Sequence, residues 1–420
     1  MKGLGKAWRD AGQSREPEPP ERTTDSKRIF WGRLKAGNFT DPYCLEEWSD
    51  SADSDSDGNT RIGDLASLFD KVGRSARGFP VFGTDQEDTM SLASISVALC
   101  THNGERFIRE QVRSICLQSL PPREIVLSDD ESRDRCVEAA GETVAECLRE
   151  RPGLAIEVRV LRNSPALRVT KNFEQAVRAC THEFVALCDQ DDVWHPERLA
   201  RMMAEFERRP DLLLLHTDAR LVDAAGRDKG GSLFHALEVQ RSELERIHGG
   251  MAFDVFLRRN LVTGATTVFR RLPMVSALPF PVEWVHDEWL AIVAAATGGV
   301  DAIEDCLIDY RQHESNQIGA RRDSFMGKVR KALASRGDTH VKRAIKAEIL
   351  LERLLELGDR VSPVIVEKVR SKIEHQRFRA ALPASRLARC VPVLREAMTG
   401  RYEKFGRGVR GVVRDLFESV

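Results

Sequence analysis

Phe184–Val185–Ala186–Leu187–Cys188–Asp189–Gln190–Asp191–Asp192–Val193–Trp194–His195–Pro196 is the stretch on which the fold turns. Its first five residues form a short apolar run that reads as a buried strand, and Pro196 opens a helix over 196–208. Between them stand three carboxylates within four residues. Working outward, the same alternation recurs from Ser94 onward. Strands are expected at Ile95–Cys100, Glu124–Ser128 and Ile156–Leu161, with helices at Arg106–Ser119, Arg133–Arg149 and Lys171–Ala179. Strands separated by helices make βαβ units, so the class is α/β with a mainly parallel sheet flanked by helices. Such sheets bind ligands beyond the carboxyl ends of their strands, and the polar residues to inspect lie just after each apolar run.

Composition bounds the rest. A chain of 420 residues predicts two or three units. A formal net charge of −1 with 31% charged residues gives the whole molecule no field favouring nucleic acid. Nine cysteines form no C-x-x-C pair, which suits reduced thiols in a cytoplasmic protein. No signal-peptide core and no apolar run of spanning length is read, so a cytoplasmic location is expected. Three regions separate: a polar extension at 1–90, expected to be disordered, an α/β domain at 91–325, and a helical basic region at 326–420. The last holds 22 Lys+Arg against 11 Asp+Glu. Its segments Thr339–Leu357 and Pro363–Ala380 have helical spacing.

Each strand end carries chemistry. Thr101, Asn103 and Gly104 offer hydroxyl and amide groups beside a residue that permits close approach, though turns favour the same types. Asp129 and Asp130 suit hydrogen bonding to a base or ribose; capping of the next helix by Asp130 or Ser132 is the alternative. Asp189, Asp191 and Asp192 repel one another unless a cation offsets them, and hard oxygen ligands of this kind suit Mg²⁺ or Mn²⁺. A solvated loop capping the next helix is the alternative there.

These residues resemble the opening of family 2 glycosyltransferases of the GT-A fold. The likeness runs through Ser96–Gly104, Gln111, Ser114, Ile115, Gln118, Ser128–Asp134 and Lys171–Asn172–Phe173. It continues through Asp189–Trp194, His286–Asp287–Glu288–Trp289 and Tyr310–Arg311–Gln312–His313. The subgroup it is most similar to is rhamnosyltransferase-like. The resemblance implies that Thr101, Asn103 and Asp129, with Asp130 beside them, contact the nucleoside. It implies that Asp189 and Asp191 form the Asp-x-Asp element for ribose and metal, that Lys171 reaches a phosphate, and that His313 approaches the metal. Asp287 takes the place of the general base; the alternative is a helix cap. Val262–Thr267 resembles the acceptor-side floor or is a core strand. Glu131 departs from the pattern, standing where the family usually has glycine.

The implied reaction moves a sugar, with rhamnose the subgroup's suggestion, from a nucleoside diphosphate to a saccharide or lipid-linked acceptor. It proceeds with inversion, in cell-surface polysaccharide synthesis. A metal-dependent nucleotidyl- or phosphotransferase is the competing enzyme reading, although no G-x-x-x-x-G-K-[ST] loop is present. From another class comes a calcium-binding interaction module, since Asp53, Asp55, Asp57, Gly58 and Asp64 follow EF-hand spacing. Arg401, Lys404, Arg407, Arg410 and Arg414, interleaved with Phe405, Val409, Val412, Val413, Leu416 and Phe417, read as a basic amphipathic helix. Such a helix suits peripheral contact with the inner face of a membrane, though its glycines weaken it.

Overall fold

Strand β1 (Ala93–Thr101) shows why the sheet is two-sided. Ile95, Val97 and Leu99 point into one apolar layer, while Ala98 and Cys100 point into another. Side chains alternate along a strand with period two, and a strand buried on both faces is apolar along most of its length, with buried Ser96 satisfied by donating to Glu124. The computed structural model describes residues 93–313 and 339–418, which lie within one unit, Thr84–Val420. The expected polar extension at 1–90 and the EF-hand-like Asp53–Asp64 segment fall outside the described residues.

Helices α1 (Glu105–Cys116), α2 (Cys136–Glu150) and α4 (Arg198–Arg208) bury their apolar stripes against one face of the sheet. Helix α3 (Val169–Ala179) covers the other. The parallel half of the sheet runs β3 (Glu157–Asn163), β2 (Pro122–Asp130), β1 and β4 (Phe184–Cys188). The two-residue β5 (Val193–Trp194) sits at the far edge of the sheet on β9 (Gly299–Arg311), whereas β6 (Leu212–Val222) pairs with β9 in parallel and with β7 (Asp228–Ser232) antiparallel. The α/β class with a mixed, mainly parallel sheet flanked by helices is therefore what the chain adopts.

Short α5 (Leu233–Ala236), α6 (Arg241–His248) and α7 (Ala252–Arg258) lead to β8 (Thr267–Arg270), which bridges β4 and β6 antiparallel. Val262–Thr267 is not one continuous strand: Gly264–Thr266 is a 3-10 turn, and strand geometry begins at Thr267. After α8 (Arg271–Met274) comes α9 (His286–Thr297), apolar nearly all round because it is packed all round. Trp289 is fully buried there and donates its indole N–H to Ala277 O at 2.6 Å. Truncating it to alanine costs about 3–5 kcal/mol.

The basic region folds as α10 (Thr339–Glu356), α11 (Pro363–Ala380), α12 (Arg386–Met398), α13 (Arg401–Phe405) and α14 (Val409–Phe417). Ser362 caps α11 by accepting from Val364 N, with Pro363 in the first turn where its missing N–H is harmless. Residues 401–417 are thus two short helices, interrupted at Gly406–Gly408, rather than the single amphipathic helix read from the sequence. Ala347, Leu350 and Leu354 of α10 join the apolar layer that holds α7 and α9. Among the described residues no helix is long and apolar enough to cross a membrane.

Candidate active site

The strand register gathers the predicted polar residues at one sheet edge. Thr101 lies opposite Asp129 on neighbouring strands, and its hydroxyl donates to Asp129 Oδ1 at 2.9 Å. Asp129 Oδ2 accepts from Ser132 N at 3.1 Å, closing the turn after β2. Asp130 turns instead to the loop after β3, accepting from Leu167 N at 2.6 Å and Arg168 N at 2.8 Å. Neither Asp130 nor Ser132 caps the next helix, which starts at Cys136; Asp134 accepts from Cys136 N there.

Three non-glycine residues in these loops have left-handed backbones: Asn103 at φ 50°, Glu131 at 63° and Arg168 at 68°. With ψ 164°, Arg168 occupies a region almost reserved for glycine, worth about 1–3 kcal/mol of strain. Its tether is the Asp130 carboxylate. The positive φ at Glu131 supplies the physical reason a glycine suits that position. Asn103 Oδ1 accepts from Arg133 N, binding the first two loops together. Gly104 has an ordinary φ of −105°, so its role is space: an added Cβ would collide with Gln190 Oε1. Gln190 in turn grips His102 through both its backbone N–H and its carbonyl, locking the acidic loop to the end of β1.

Leu99 pairs with Cys188, so Asp189 is the first residue beyond the edge of β4. Burial, then the negative fields of Asp191 and Asp287, push its carboxyl up to about 7. Asp191 Oδ2 is 2.7 Å from His313 Nε2, and the His313 ring stacks on Phe107 at 4.8 Å between centroids. Asp192 is the inward member of the trio. It is buried, accepts from Arg311 N at 2.9 Å, and burial holds its carboxyl well above the usual range. Arg311 also donates to Asp191 O at 2.7 Å, which pins the acidic loop to the end of β9.

Asp287 closes the site from α9. One carboxylate oxygen accepts from Gly264 N at 2.9 Å and the other from Glu288 N at 2.6 Å. Burial outweighs these bonds and raises the carboxyl to about 6. Next to it, buried His286 stacks on Phe173 at 3.9 Å, and burial alone lowers the imidazole to about 3. A Cβ on Gly264 would meet His286 Nε2 at 2.7 Å, so glycine lets this turn approach α9. Lys171 donates to Glu174 and to Phe280 O, both at 2.7 Å, so any reach towards a phosphate competes with those bonds.

Sequence reasoning missed the contribution of α10. Lys346 pairs with Glu288 at 2.5 Å, lies 4.3 Å from the centroid of the Trp284 ring, and lowers the Asp287 carboxyl electrostatically. No local pattern signals this, because the partners are 58 residues apart.

The donor set fits a divalent cation. Asp189 and Asp191 supply hard oxygens, and a cation there would offset both the burial of Asp189 and the negative fields of Asp191 and Asp287 that raise its carboxyl. They and His313 are neighbours rather than a closed cage, as befits a site completed by phosphate oxygens. Among the described residues, the group whose candidate ligand atoms all lie within 4.8 Å of one another is His340, Asp415 and Glu418. There Arg379 already pairs with Asp415 and Arg414 with Glu418, so protein cations balance those carboxylates.

A mixed sheet thus carries carboxylates just past β4 and at the head of α9. The model of the glycosyl transferase family 2 matches residues 96–262, which supports a family 2 glycosyltransferase. An uncharacterized protein of Mycobacterium bovis is 27% identical over 229 residues, covering 53% of this chain and 59% of its own. The chain thus spans about six-tenths of that relative. Among solved structures, S. aureus TarS 1–349 in complex with UDP-GlcNAc has a TM-score of 0.44 at 17% identity, covering 68% of this chain and 72% of its own. A mannosyltransferase from Pyrobaculum calidifontis in complex with GDP-Man and Mn²⁺ has a TM-score of 0.40 at 16% identity, with coverage of 79% and 86%.

Proposed function

We propose that this chain transfers a sugar, rhamnose by the subgroup it resembles, from a nucleoside-diphosphate donor to a saccharide or lipid-linked acceptor, with inversion. Cell-surface polysaccharide synthesis is the setting, with peripheral contact to a membrane. The observation that carries the reading is the meeting of Asp189, Asp191 and Asp287 in one electrostatic neighbourhood, from loops 98 residues apart. Thr101, Asn103 and Asp129 frame the nucleoside side, with Asp130 holding the adjoining loop and Lys171 on the phosphate side. Asp189, Asp191 and His313 would hold Mg²⁺ or Mn²⁺, whose chemistry is to offset charge on the departing diphosphate. Asp287 accepts the acceptor hydroxyl proton as that oxygen attacks the anomeric carbon. A carboxyl raised to about 6 is ionised at neutral pH yet basic enough to assist.

The test is incubation with a panel of nucleotide sugars and Mn²⁺. Release of nucleoside diphosphate from one donor, lost in Asp191→Ala, supports sugar transfer. Release of pyrophosphate or of a nucleoside monophosphate would point instead to nucleotidyl- or phosphotransfer.

A further inference from the structure

The tail of the chain sorts its side chains in an unusual way. Along α12, Leu387, Val391, Leu394 and Met398 fall at spacings of four, three and four, forming one stripe, and all are exposed, Leu387 at 87% and Met398 at 81%. Along α14, Val409, Val413 and Phe417 form a second exposed stripe. The opposite faces of both helices are already spent: Val393 and Ala397 of α12 and Val412 and Leu416 of α14 pack into one small core with Leu382 and Tyr402. The apolar stripes therefore belong to a surface with no partner among the described residues.

Charge is sorted too. Between 385 and 418 the exposed ionised residues are Arg386, Arg395, Lys404, Arg407 and Arg410 against Glu403 alone. The other acids are turned inward: Glu396 bonds His375, Asp415 bonds Arg379 and Tyr402, and Glu418 bonds Arg414. An apolar stripe framed by cations, with its acids withdrawn, is the composition of a surface that lies in an anionic interface.

We infer that α12 docks on an anionic lipid bilayer through its exposed stripe, with the cations of α12 to α14 and the exposed α14 residues adding contact. The face is larger than the sequence indicated, since α12 supplies its longer half. Phe405, counted with the lipid-facing residues from sequence, is buried inside. Arg258 of α7 donates to Gly406 O at 2.8 Å beside the docking helices, and the preceding helices are tied in turn, α10 to α9 by Lys346–Glu288 and α11 to α7 by Lys368–Asp254 at 2.6 Å. Docking would thus present the proposed site at a set distance from the lipid. The inference deepens the proposed lipid-linked acceptor, yet binding itself needs neither donor nor acceptor.

Deleting the tail is a poor test, because Asp415 is the buried partner of Arg379. Point changes on exposed atoms are cleaner. The full chain is mixed with vesicles of phosphatidylglycerol or of phosphatidylcholine, free of any acceptor, and floated. Wild type should float with the anionic vesicles at low salt and release at high salt. Arg386→Gln, Arg395→Gln, Arg407→Gln and Arg410→Gln together should weaken binding by a factor of several hundred, about fivefold per cation. Leu387→Ser with Met398→Ser and Phe417→Ser should also lower it, with unchanged circular dichroism and melting temperature. Wild type failing to float, or both variant sets floating like wild type, overturns the proposal. So does concentration-dependent dimerisation abolished by the serine variant without lipid binding, which would make the face a contact between copies. Nucleotide-sugar turnover, measured separately without lipid, decides the fate of the catalytic reading.

Discussion

Asp287→Asn separates a catalytic base from a helix-end carboxylate, because its stability terms nearly cancel and its rate terms do not. A carboxyl held at about 6 rather than 3.8 disfavours the ionised folded state by about 3 kcal/mol at neutral pH. Asparagine removes that charge. It also faces one of two backbone donors, Gly264 N or Glu288 N, with an amide that cannot accept, at roughly 1–3 kcal/mol. The melting temperature should therefore move by no more than a few degrees, while turnover falls about 100-fold or more and donor affinity holds. The pH dependence adds a second check. Because folding raises this pKa, the group's contribution to stability is full below about pH 4 and declines as pH rises through about 6. Ionisation, and with it the acid limb of kcat/KM, runs the opposite way, so activity should fall as pH drops through about 6. Asp287→Asn should remove both slopes. Rate, donor affinity and melting temperature are measured for Asp287→Asn beside Glu288→Gln. Near-normal turnover in Asp287→Asn refutes the assignment, and loss in Glu288→Gln alone moves the base by one residue.

Other outcomes follow from the same geometry. Activity should vanish in excess chelator and return with Mn²⁺, and Asp191→Ala should lose metal-dependent nucleotide binding with circular dichroism unchanged. Lys346→Met removes the cation that lowers the Asp287 carboxyl, so the acid limb of kcat/KM should shift to higher pH; an unmoved limb would show that α10 acts only as packing. Glu131→Gly relieves a φ of 63° and loses only the bond to Ala166 N, so urea unfolding should find it at least as stable as wild type. Glu131→Val, β-branched at the same φ, should be less stable by about 1–2 kcal/mol.

The parallel half of the sheet was legible because its signal is local: short apolar runs between amphipathic helices, each found within a few residues of its predicted span. The second half was harder. Leu212–Leu215 is an apolar run that periodicity cannot assign to helix or strand, β8 has four residues and β5 two. In the site, the carboxylates could be named from their places after strands, but their partners could not. Asp130 holding the Arg168 loop and Arg311 pinning Asp191 depend on chain crossings that no motif spells out. On α12, Pro392 reads as a helix breaker, which hides the exposed stripe around it.

Charge accounts for how these parts cohere. The whole chain is nearly neutral, yet its acids and bases are segregated: carboxylates crowd the sheet edge, and exposed cations crowd α12 to α14. Burial makes this edge costly to ionise, raising the carboxyls of Asp189 and Asp287, and the negative fields of Asp191 and Asp287 add to it at Asp189. Folding tolerates it because the surroundings over-determine the loops: Gln190 grips His102, Arg311 holds the acidic loop, and Asp130 restrains Arg168. Lys346 brings the basic region into this field, close enough to Asp287 to tune it. A scaffold that needed only stability would offset such buried carboxylates with a paired arginine, as Arg379 does for Asp415. Keeping buried carboxylates at raised pKa is physically reasonable where a bound cation and a proton acceptor are needed at the same edge.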